Sequence, residues 1–370
     1  MPSTITPQIV TINATVTSAP SPSTLQQSGA FVSVGGTTLT VNTYQYCGTL
    51  AQVTAILSSA GNHAELTNMA TTFFAQGSAV GVYILELGTA SGTVATQIAD
   101  LGTWITNNPN VFYAYLCPQT WDSSDASGLE ALASTYSSPT GKTYFFVTST
   151  VANCTTYVTK ATFVTVPSPT AASTEFQAAA FFYQWLANNP SIAAPAAPMS
   201  FRFLYGVTSW APNGITSGTP NATLINEVLT AYANLILSGA EGGISTATAR
   251  NGMTSDGNQA MFWYTADWFL INGDLLLANA IINGSNTNAP VVYNQFGINT
   301  LLGVLNSLCR TGSSVGLALS ATASATSFAA YTAAFPANYA AGIYGGLALV
   351  VTPQLGFLKI VLYFNITNFA

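Results

Sequence analysis

One histidine, His63, stands in the 370-residue chain, within the segment GNHAEL. Histidine is the usual general base at neutral pH. Here Asn62 precedes it and Glu65 follows, in the order of a helix N-cap and capping box, so His63 reads as a first-turn structural residue. The stretch GSSVG at 312–316 matches the spacing of a nucleophile elbow. That motif should follow a strand and precede its acid and its histidine. His63 lies far upstream of it and no acidic residue follows, so the match is rejected. Asp267 and Asp274 share one face of an apolar helical segment, TADWFLINGDLLLANAIING. A carboxylate pair can do acid–base work or bind a cation. The preferred alternative is a polar contact stripe at a subunit or domain boundary, paired with an arginine such as Arg250 or Arg310. Cys47, Cys117, Cys154 and Cys309 form no C-x-x-C pair, so no zinc site is expected. They read as small buried or surface thiols, with intermolecular disulfides as the other reading. The Gly-Gly of FVSVGGTTLTV (31–41) lacks the Lys-Ser/Thr of a phosphate loop and reads as the turn of a hairpin. No catalytic constellation emerges; the expectation is a non-enzyme without cofactor or metal.

Composition excludes further classes. Charged residues make up 5% of the chain, against about 25% in ordinary soluble proteins. None precedes Glu65, and none lies between Arg310 and Lys359. With six basic residues and a net charge of −6, there is little to hold phosphates, which argues against nucleic acid. Mean hydropathy is +0.38, yet the best apolar window, AAGIYGGLALVV (340–351), is shorter than the ~18–20 residues a span needs. Direct membrane insertion is therefore not expected. The N-terminal residues show no basic n-region and apolar h-region, which makes synthesis in the cytoplasm the default.

The elements that would position these residues alternate along the chain. Helical patterns at 62–77, 94–105 and 127–136 separate near-continuously apolar strands at 79–87, 111–117, 143–149 and 161–166. A proline-rich stretch surrounds the helix EFQAAAFFYQWLANN. Beyond it come an expected strand at 201–207, a helix at 222–237, the long apolar helix, and another helix at about 297–309. The ends differ from this body. Val10, Ile12 and Val16 alternate within QIVTINATVT (8–17), and Leu358, Ile360, Leu362, Phe364 and Ile366 alternate within LKIVLYFNITNFA. SAPSPS (18–23) reads as an extended linker. The fold class expected is α/β: two α/β domains with mixed sheets flanked by helices, plus extended N- and C-terminal β-strand arms. The predicted blocks are an N-terminal arm and linker (1–24), an α/β domain (25–198), a second α/β domain (199–338) and a C-terminal strand arm (339–370). A terminal strand of this kind needs partners for its backbone and its apolar face.

The chain resembles the tail sheath proteins of contractile-tailed bacteriophages, in a compact form. The resemblance rests on SPSTLQQSGAFVSVGGTTL, AELTNMATTFFAQGSAVGVYILELG and WITNNPNVFYAYLCPQTWD. WFLINGDLLLANAIINGSN and GIYGGLALVVTPQLGFLKIVLYFNITNF extend it over most of the sequence. It implies a structural virion protein: a homo-oligomer of hexameric rings stacked helically around a tail tube protein. Baseplate and tail terminator are its other implied partners, with no nucleic acid and no membrane insertion. The virion tail is the implied location, with assembly in the host cytoplasm. In that family terminal arms add strands to sheets of neighbouring subunits, and contraction drives the tube through the host envelope. The competing readings are an outer-membrane β-barrel, suggested by low charge and a near-terminal Phe369, and another phage tail protein, a tube or fibre.

Overall fold

The computed structural model describes residues 25–88, 92–238, 245–287 and 289–359. Strands apolar on both sides require cover on both faces, and helices supply it here. Six strands form one sheet in the order β2-β3-β1-β4-β5-β6. They are β1 (Gly29–Ser33), β2 (Thr43–Cys47), β3 (Val82–Glu86), β4 (Ala114–Leu116), β5 (Tyr144–Thr148) and β6 (Phe163–Thr165). All neighbours are parallel except β2, which runs antiparallel to β3. Phe31, Ile84, Leu116, Phe146 and Phe163 point to one face. That face is covered by α1 (Leu50–Ile56), α2 (His63–Ala75) and α5 (Gln177–Leu186). Val32, Leu85, Tyr115, Val147 and Val164 point to the other, under α3 (Val94–Asn107) and α4 (Gln119–Tyr136).

The stretch 31–41 is not a hairpin. β1 pairs with β3 and β4, strands far away in sequence, and Thr37 bridges to Leu57. A short antiparallel pair, β7 (Ile215–Thr216) with β8 (Thr219–Pro220), leads into the helix expected at 222–237, which stops early, as α6 (Asn221–Thr230). Tyr232, at φ 56°, turns the chain. Leu235 and Ile236 are then buried in β9 (Leu235–Ser238), antiparallel to β10 (Ala247–Arg250). The strand expected at 201–207 reduces to one bridge, Phe203 to Thr248. Asn234, just before β9, bridges to Thr165 of β6 and links this pair to the main sheet.

The C-terminal part is built on α7 (Ala260–Asn286) and α8 (Gln295–Ser314). The first turns of α7 enter the main core through Met261, Tyr264 and Ile271, while Phe269 packs with Leu305, Leu308 and Ala318. A Cβ at Gly312 would stand 2.2 Å from the Phe269 ring, so glycine is required there for packing. GSSVG is thus the end of a helix, without a preceding strand. After it, β11 (Ala318–Ala325) and β12 (Leu347–Pro353) form an antiparallel hairpin, joined through α9 (Phe328–Ala334) and α10 (Pro336–Ala340). The apolar window 340–351 therefore ends inside β12. Among the described residues no helix is long and apolar enough to cross a membrane, and the helix-covered sheet is not a barrel.

Candidate assembly surface

Parallel α/β sheets usually bind ligands where strands end and helices begin. Here that edge is occupied by the chain's own carboxylates. Glu86, at the end of β3, is 2% exposed. It accepts from Ser33 Oγ at 2.6 Å, Thr37 Oγ1 at 2.7 Å, the N–H groups of Gly35 and Gly88 at 2.8 Å each, and Thr37 N–H at 3.1 Å. Gly35 has φ +66°, which turns the loop around the carboxylate into an amide nest. Glu65 accepts from Gln119 N–H at 2.7 Å, the first residue of α4, and burial pushes its carboxyl upward. Asp122 accepts from Tyr157 OH at 2.7 Å and Ser149 Oγ at 2.9 Å. The expected capping box at 62–65 is replaced: Asn62 accepts from Val34 N–H and donates to Val32 O, tying α2 to β1. Among the described residues no cluster of three or more His, Cys, Asp or Glu is placed to hold a metal. All four cysteines are free and buried. Burial raises the Cys47 and Cys154 thiols to about 11 and Cys117 further.

Asp267 and Asp274 both reach the start of β5, by different means. Asp267 is 4% exposed; its Oδ2 accepts from Tyr113 OH at 2.8 Å and Tyr144 OH at 2.7 Å. Around it, Trp185 stacks on Tyr113 at 5.4 Å, and Tyr264 meets Trp185 edge-on at 5.4 Å. Burial raises the Asp267 carboxyl to about 6, against the lowering effect of the two phenols. Asp274 lies 3.9 Å from Lys142 Nζ and is mostly exposed, a pair of little energetic weight. The arginine partners expected from sequence do not occur: tyrosines and a lysine take their place.

The β11–β12 hairpin is a two-stranded sheet packed on one face. Ala321, Ala323, Leu347, Leu349 and Val351 face Phe269, Leu305 and Leu308. Leu319, Ser320, Thr322, Ser324, Ala348, Val350 and Thr352 are exposed on the other side. Among the described residues neither outer edge carries another strand. Two isolated strands are marginal in water, and open edges invite pairing. β11 was not expected from sequence; the alternation of ALSATASA was its only signal, weak because alanine and serine are poor strand formers. Of the expected arm residues, Leu358 is described and 41% exposed. Val10, Ile12, Val16, Ile360, Leu362, Phe364 and Ile366 lie outside the described residues.

No family model and no curated protein matches the chain. Solved structures do. A chain of the anti-feeding prophage baseplate, 6-fold symmetrised, is 12% identical with a TM-score of 0.64, over 97% of this chain and 98% of that one. A chain of the anti-feeding prophage helical sheath in its contracted state is 11% identical with a TM-score of 0.58, over 96% and 98%. A sheath tail protein from Listeria innocua is 9% identical with a TM-score of 0.54, over 88% and 94%. The chain shares the fold of these baseplate and sheath chains. The two prophage chains are matched almost end to end.

Proposed function

We propose that this chain is a contractile tail sheath subunit, a structural protein that polymerises helically around a tail tube by exchanging terminal strands. The observation that carries the reading is the β11–β12 hairpin, a two-stranded sheet packed on one face with both edges open among the described residues. Each subunit offers two edges and, by sequence, two alternating segments, 8–17 and 358–366. Donors and acceptors therefore balance when each hairpin takes one strand from each of two neighbours by β-augmentation. Such head-to-tail contacts extend into a helix when the rotation does not close. Rings of six around a tube protein, a baseplate and a terminator at the ends, and a place in the virion tail follow from the same reading. Contraction would move subunits as rigid bodies while the strand pairings persist and the linker at 18–23 bends. The occupied edge of the parallel sheet supports a role without catalysis.

The test is deletion of 358–370. The truncated protein should remain soluble and folded, with a thermal midpoint close to that of the full chain, and should form no tubes in negative-stain micrographs. A sharp fall in the midpoint would assign the terminal strand to its own subunit and refute strand exchange.

A further inference from the structure

Between β11 and β12 the chain does not make a tight turn. Residues 327–345 form a lobe of α9, α10 and an aromatic cluster. Tyr293 meets Phe328, Tyr339 and Tyr344 at 5.9, 5.1 and 5.9 Å, and Tyr331 meets Tyr344 and Phe335 at 4.7 and 5.0 Å. Polar bonds hold the lobe in place: Thr326 N–H donates to Gly346 O at the end of the hairpin, Gly345 N–H to Tyr331 Oη within the lobe, and Tyr293 OH, just before α8, to Ile343 O. Yet Phe335, Tyr339 and Ile343 remain 52%, 47% and 55% exposed. From 275 to 358 the only charged residue is Arg310.

We infer that this aromatic lobe is a register stop for the N-terminal strand of a second copy of the chain, laid along the hairpin. The inference rests on the strand-exchange reading above. Alternation of inward and outward side chains forbids a one-residue slip of an added strand, because it would turn every apolar residue to the wrong face. It does not forbid a slip of two residues, about 6.6 Å, which keeps the same face inward. The hairpin's own exposed side chains, mostly serine, threonine and alanine, offer nothing to prevent that slip. The lobe does. It forms the connection beyond the last pair, Ala325 with Leu347, at the end toward which an added strand would run on. The segment 8–17 spans about 33 Å when extended. The eight residues of β11 span about 26 Å. A donor aligned with the hairpin's open end therefore overhangs toward the lobe by about two residues. Segment 8–17 has no charge, so an uncharged aromatic face suits it, and burying that face offsets the cost of ordering the strand end.

The experiment uses the full chain with Phe335→Ser and Tyr339→Ser combined, and separately Ile343→Gln, which keeps the backbone carbonyl that Tyr293 bonds. Thermal midpoints check folding, and electron microscopy with helical indexing reads the assemblies. Both variants should still assemble, but into tubes of mixed diameter and rise, with at least tenfold fewer in the wild-type lattice. Tubes of uniform wild-type lattice from a folded variant overturn the register stop and leave strand exchange standing. Normal lattices that fail only to enclose tube protein would assign the lobe to that partner instead. If deletion of residues 1–24 leaves assembly intact, both the stop and the N-terminal strand exchange are refuted.

Discussion

Asp267→Asn should make the protein more stable at neutral pH, although it removes a hydrogen-bonded carboxylate from the core. The folded carboxyl is raised from an ordinary value of 3.8 to about 6. The native state therefore holds this proton more tightly than the unfolded chain. The resulting stability is complete below about pH 4 and is lost as pH rises through about 6. At pH 7.5 the ionised form carries the whole cost, about 2 units at ~1.4 kcal/mol each, or roughly 3 kcal/mol. Asparagine is neutral and of the same shape. Its amide oxygen can accept from Tyr113 and Tyr144 as Oδ2 does, while its Nδ2 replaces Oδ1, which accepts no hydrogen bond from the described residues, and those new donors offset part of the gain. The substitution should recover part of that cost, on the order of 1–3 kcal/mol, and raise the thermal midpoint by about 1–4 °C. The assay is thermal unfolding of both proteins between pH 4 and 8. Glu65 is raised in the same direction and Glu175 is lowered, so the difference between the two proteins isolates Asp267. That difference should open between pH 4 and 6 and stay level above. A variant less stable at pH 7.5, with no divergence across that window, would show that the phenols more than compensate the burial.

Three further outcomes follow from the geometry. Glu86→Ala leaves the N–H groups of Gly35, Thr37 and Gly88 without their acceptor. It should cost at least ~3 kcal/mol in urea unfolding, and a loss under ~0.5 kcal/mol would contradict the nest. Gly312→Val places methyl groups on the Phe269 ring and should lower the midpoint by several degrees, whereas exposed Ser313→Ala should not move it. Polymer yield should change little between about 0.05 and 0.5 M NaCl, because strand pairing and apolar burial are weakly screened; dissociation to monomers at the higher salt would overturn that view.

The parallel strands were legible because runs such as VYILE and YFFVT are apolar on both sides, and the sheet buries both. The Gly35-Gly36 pair misled, since a local turn signal says nothing of partners far along the chain; Gly35 N–H instead donates to the Glu86 carboxylate and Gly36 N–H to Ser33 Oγ. The stop after Thr230 was hidden for a related reason: burial of Leu235 and Ile236 beside β10 overrides their helical spacing. At Asp267 the helix and the face were readable, but its tyrosine partners sit 123 and 154 residues away. Arginine pairing is the expectation for a carboxylate on an apolar helix, but arginines are few and the fold satisfies Asp267 with two phenols instead. The β11–β12 hairpin was half visible, its β12 as an apolar window and its β11 scarcely at all.

The carboxylates at the strand ends have a mechanical consequence. Loops at that edge are the compliant parts of most α/β proteins, because they open and close on ligands. Here Glu86 clamps the turn after β1 to the end of β3, and Glu65 clamps α2 to the start of α4. A load applied across the sheet meets short polar tethers in place of slack. In a polymer whose work is done by moving subunits past one another, a stiff body matters as much as a strong joint. Under the sheath role proposed above, little of the free energy released at one ring would be dissipated in deforming the protomer, and most would be delivered as displacement to the next.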